Sequence, residues 1–113
     1  MDYPLLVERL KELARLNPSG FTVTVPDLIP VKRGWSVAIK ETQNSFGDEG
    51  LKRVLEIALE TTQIMGGWDE DNEFWWDAVR IFEDETEATE FGIANDQIAI
   101  YCIHLNRPKR LKK

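Results

Sequence analysis

His104 is the only imidazole in the chain and Cys102 its only thiol. Two residues apart on a strand, they would share a face and could touch. Such a pair can serve as base and nucleophile, yet neither residue lies in a nucleophile motif and no serine completes a triad. Both are therefore expected to be structural, a histidine at a strand end and a small buried thiol. The run "DEDNE" places Asp69, Asp71 and Glu73 like the first ligands of a calcium loop. The resemblance to that loop fails where Phe74 takes the sixth place, which needs glycine, and Arg80 the twelfth, which needs glutamate, so no metal is expected. With 20 Asp and Glu residues, carboxylate pairs are unspecific. There is neither a GxGxxG nor a GxxxxGK[ST] run, and Gly66-Gly67 reads as a helix stop or a bulge, so no nucleotide cofactor is expected.

The tryptophans are more informative. "MGGWDEDNEFWWDAVRIF" holds Trp68, Trp75 and Trp76, three of the chain's four, among carboxylates. Trp75 and Trp76 are adjacent in a strand-like run, so their side chains must point to opposite faces. One can enter the core, and the other must be covered by a helix, by a partner or by nothing. Indoles bury about 150–250 Å² each and anchor the strongest interfaces.

The elements that must position these residues follow from pattern. "DYPLLVERLKELARL" reads as a helix with Pro4 in its first turn and Leu6, Leu10 and Leu13 on one stripe, stopped by Asn17, Pro18 and Gly20. "FTVTV" and "GWSVAIK" alternate as strands buried on one side, and their succession suggests antiparallel pairing. Ser45 or Asp48 is placed to cap a second helix, whose apolar positions run Leu51, Val54, Leu55, Ala58, Leu59, Thr62 and Met65. Residues 63–82 read as a hairpin about "DEDNE". "EDETEATEFGIAND" is a short helix capped by Asp84, with Glu87 completing a capping-box-like pair. "QIAIYCIHL" is apolar on both faces and is expected at the centre of the sheet. The predicted order is α-β-β-α-β-β-α-β, an α+β domain with helices packed on a mainly antiparallel sheet. Residues 1–106 form its single domain and 107–113 a basic tail.

Composition bounds the function. With 113 residues, 42% hydrophobic and 30% charged, the chain is globular and large enough for one core. It shows neither a membrane-spanning run nor a leader pattern, which with one cysteine predicts a soluble cytoplasmic protein. The net charge is −6, and residues 69–90 carry ten acids against Arg80 alone, a local balance of −9. Five bases close the chain in "RPKRLKK". Direct nucleic-acid binding by the body is disfavoured by this charge, leaving only the tail basic enough for it.

Taken in order, "GGW", "WWDAVRIFEDETEATEFG" and "NDQIAIYCI" resemble a pattern found in small uncharacterised proteins of bacteria, their phages and mobile elements. The resemblance covers roughly residues 66–103. It implies a fold and a genomic setting, and no catalytic residue comes with it.

These readings converge on a non-enzymatic interaction module whose surface comprises Trp68, Asp69, Asp71, Glu73, Trp75, Trp76, Asp84, Glu85 and Glu87, and whose expected partner is a protein, a basic one where the acids do the recognising. One version is a DNA-mimic inhibitor or mobile-element accessory protein presenting carboxylates to a nucleic-acid enzyme. The alternatives are an enzyme or small-molecule carrier near Cys102 and His104, and a self-associating structural domain that buries Trp75 or Trp76. Oligomeric state is left open.

Overall fold

The computed structural model of the protein describes residues 3–112. Its elements are helix α1 (Tyr3–Leu16), strands β1 (Phe21–Thr24) and β2 (Trp35–Ala38), helix α2 (Gly47–Glu60), strands β3 (Ile64–Glu70) and β4 (Glu73–Phe82), helix α3 (Glu85–Ala94), and strands β5 (Ala99–Cys102) and β6 (Arg107–Arg110). The α+β class and the order through β5 are as read from the pattern, and β6 is an addition. The strands form one sheet in the order β1-β3-β4-β2-β5-β6, every pair antiparallel. No helix among the described residues is long and apolar enough to cross a membrane.

Register assigns the faces. Val23 pairs with Met65, Met65 with Ala78, Val37 with Arg80, and Trp35 with both Phe82 and Cys102. Directly paired residues share a face, as do residues two apart, so one face carries all of these together with Phe21, Phe74, Trp76 and Ile100. Two apolar clusters lie on it. Leu6, Val7 and Leu10 of α1 and Leu51, Val54, Leu55 and Ala58 of α2 pack there with Met65, Trp76 and Ala78. Ala88 of α3 packs with Val37 and Ile100. Phe91 touches both clusters, and the Arg80 guanidinium lies 5.4 Å from its ring centre. All three α-helices therefore cover one side of the sheet, and no α-helix among the described residues packs on the opposite side.

Four local expectations are corrected. β1 and β2 do not pair with each other, because the β3–β4 hairpin, whose two-residue turn closes locally at little entropic cost, is inserted between them. Neither Ser45 nor Asp48 caps α2. The Ser45 carbonyl accepts from Trp76 N–H and Phe46 bridges to Trp75, tying that segment to the edge of β4 and moving the helix start to Gly47. The helical stripe ends at Leu59, since Met65 belongs to β3 together with both glycines. β5 is not central. It is second from the edge and interior only because Arg107–Arg110, read as part of a tail, pairs with it as β6. Pro108 is tolerated there, because an edge strand has unpaired donors on its outer side.

Candidate functional site

The β3–β4 hairpin turns on Asp71 and Asn72, both left-handed at φ 55 and 66. Two central residues with positive φ mark the primed turns whose twist suits a hairpin, and Asp and Asn adopt that conformation readily. The turn sets the register Glu70↔Glu73, Trp68↔Trp75, Gly67↔Trp76. Trp68 and Trp75 thus stand side by side on the face without helices. On the far side of Trp75, Phe46 packs at 5.0 Å between ring centres, so three aromatic residues run across the tip. Trp75 Nε1 donates to the Glu70 carbonyl at 3.0 Å, which holds its ring over the turn. Trp68 is 39% and Phe46 46% exposed.

Trp76 lies elsewhere. It is 3% exposed and packs against Phe74 and Phe21 with ring centres 4.7 and 5.9 Å away. It is core, and its place among the recognition residues is corrected for the reason that separates neighbours on any strand: alternate side chains take opposite faces.

The acids divide into two groups. Asp69, Glu70, Asp71 and Glu73 surround the hairpin turn, all exposed, and none of them makes an ion pair among the described residues. Asp84, Glu85 and Glu87 lie past the other end of the ten-residue β4, about 30 Å away at the rise of an extended strand. There Asp84 and Glu85 have partners. The Asp84 carboxylate accepts from the backbone N–H groups of Thr86 and Glu87, and Glu85 Oε2 takes Lys109 Nζ of β6 at 2.8 Å. The structure therefore brings together Trp68, Asp69, Asp71, Glu73 and Trp75, and separates Trp76, Asp84, Glu85 and Glu87 from them.

One residue of this face was not singled out from the sequence. Asp77 follows Trp75 by two positions and so shares its face, opposite Gly66. It is half-buried, and no hydrogen-bond or ion-pair partner reaches it among the described residues. Its register neighbours on that face are Trp75, Val79, Gly66 and Thr22, none of them charged. Burial in these surroundings pushes its carboxyl from an ordinary 3.8 up to about 7. Among the described residues no side-chain oxygen without a partner is sealed from solvent, so the carboxylate remains reachable from outside. Alternation of Trp75 and Asp77 in "WWD" is the signal that could have found it.

Cys102 and His104 do meet, with Sγ 3.7 and 3.6 Å from the two ring nitrogens. Near-equal distances describe a thiol against the ring rather than a directed hydrogen bond. The thiol is fully buried, and Gly34 N–H donates to His104 Nδ1 at 3.1 Å, which holds the imidazole against the chain ahead of β2. Two clefts lie by the hairpin instead. One of about 690 Å³ is bounded by Phe46, Asp48, Arg53 and Glu73, and one of about 290 Å³ by Lys11, Asp48, Asp69 and Phe74. No three metal-ligating side chains gather among the described residues. Comparison with family models, curated proteins and solved structures returned no match for this chain.

Proposed function

We propose that this protein is a non-enzymatic interaction module of the cytoplasm, serving a bacterium, phage or mobile element, and that the tip of its β3–β4 hairpin binds a basic protein. One observation carries this reading: Trp68, Trp75 and Phe46 form an aromatic row on the face away from the three α-helices, with four carboxylates around its end that make no ion pair among the described residues. Buried indoles supply most of the free energy of such contacts, while rim charge sets the association rate and the choice of partner. The division of the acids between the two ends of β4 favours this reading over a DNA mimic, which would present its carboxylates as one continuous row.

The test is capture from cytoplasmic extract on the immobilised full chain, beside folded Trp68→Ala and Trp75→Ala variants. A basic protein is expected to be retained at about 0.05 M salt and released near 1 M, where the screening length falls to about 3 Å. Both variants should lose it. Retention unchanged by salt and by both substitutions would remove the reading.

A further inference from the structure

We propose that Trp75 and Asp77 together receive a lysine or arginine side chain of the basic partner, its aliphatic stem lying across the indole and its cation pairing with the Asp77 carboxylate. The inference rests on the hairpin tip being the docking site and names what that site reads.

The geometry supplies both halves. Trp75 and Asp77 lie two residues apart on one face, about 7 Å along an extended strand, which a lysine or arginine stem can span. Opposite Asp77 stands Gly66, so no side chain from β3 rises beside the carboxylate. Long cationic side chains bury their methylenes on apolar surface and favour the face of an indole.

The charges call for an external cation. Asp77 has no partner within the described chain, although a carboxylate in apolar surroundings costs free energy unless it is paired. Three of the chain's bases are committed elsewhere. Ile39 N–H bonds the Ala78 carbonyl, and Lys40, the next residue, turns to Asp96 at 3.2 Å. Lys11 pairs with Asp48 at 3.1 Å, and Arg80 lies over Phe91 on the opposite face. Glu70 and Glu73 share the face of Trp75 at the tip and make no ion pair among the described residues, so the local field favours a positive group. A neutral hydrogen-bond donor would gain little from this arrangement.

The experiment follows the indole N–H and backbone resonances of the full-length protein during titration with a capped seven-residue peptide bearing one central lysine between glycines and serines. Matched peptides carry arginine or the neutral isostere norleucine. Shifts at Trp75 and Asp77 are expected with the two cationic peptides, with at least fivefold weaker binding of norleucine. Asp77→Asn should weaken lysine binding about tenfold, the scale of one charge-assisted hydrogen bond, and leave norleucine binding unchanged. The variant removes a disfavoured charge and is expected to fold, which its own backbone spectrum checks. Lysine binding that is equal in the parent and Asp77→Asn but weakened by Glu73→Gln and Trp68→Ala would overturn the role of Asp77 while the tip remains the docking site. Absence of any shift at Trp68 or Trp75 with all three peptides would overturn both readings. Sedimentation of the protein alone gives a further outcome: a dimer whose formation protects Trp75 would assign this face to a second copy and overturn the proposal.

Discussion

Trp75 and Trp76 are neighbours in sequence and serve different ends. Trp76 fills the space between α2 and the sheet, and Trp76→Ala should destabilise the fold by about 3–5 kcal/mol, a large share of the 5–15 kcal/mol typical of a domain. Trp68→Ala, at a residue 39% exposed, should cost about 1 kcal/mol or less. Urea denaturation of both variants checks the contrast, and equal losses would contradict the assignment of faces. Asp77 gives a pH prediction whose sign can be worked out. Folding raises its carboxyl from 3.8 to about 7, so between those values the folded chain holds a proton that the unfolded chain has released. Stability from this group is therefore lost as pH rises from about 4 to about 7 and is level above it. Asp77→Asn should remove that slope and be more stable than the parent at pH 8. Parallel curves of denaturation midpoint against pH would show that Asp77 is not desolvated.

At the scale of elements, the hairpin depends on its glycines. A Cβ on Gly67 would sit 2.3 Å from the Phe74 ring and 2.7 Å from the Trp75 carbonyl. Gly67→Ala must therefore displace the ring that braces Trp76 and should cost about 1–3 kcal/mol, readable as a lowered melting temperature; an unchanged one would place Phe74 elsewhere. β6 covers the outer edge of β5, and truncation after Asn106 should expose that edge and promote association, seen as concentration-dependent light scattering. Period and turn chemistry made most elements legible. Alternation in "FTVTV" and "GWSVAIK", the stripe from Leu51 to Leu59, Asp84 as a cap and the turn at "DEDNE" all act within a few residues. What was hidden depends on contacts distant in sequence. The insertion of β3 and β4 between β1 and β2, and the docking of Ser45 and Phe46 on β4, join segments from about 30 to about 47 residues apart, which no local period encodes. "RPKR" reads as a solvated run because its partner, β5, is visible only once the chain turns back at Asn106.

At the scale of the molecule, the sheet has two unlike sides. One is sealed by three α-helices, and the other carries aromatic residues, the Asp77 carboxyl and, at its tip, Glu70 and Glu73. Of the site, the aromatic and acidic character was legible because it is compositional. Its extent was not, because a ten-residue strand separates acids that look contiguous in sequence, and because Asp77 differs from the other acids only in what surrounds it. The basic end lies in β6 at one edge of the sheet, where Lys109 is already paired with Glu85, while four acids with no ion pair among the described residues gather at the hairpin tip.

The measurement that tests the account most directly is the salt dependence of partner capture by the full chain beside Trp68→Ala and Trp75→Ala, with Asp84→Asn and Glu87→Gln as controls at the distant acidic group. The account predicts a basic protein held at low salt, released at high salt, lost with either tryptophan variant and retained by the controls. Loss with the controls and retention by the tryptophan variants would contradict it and move recognition to α3.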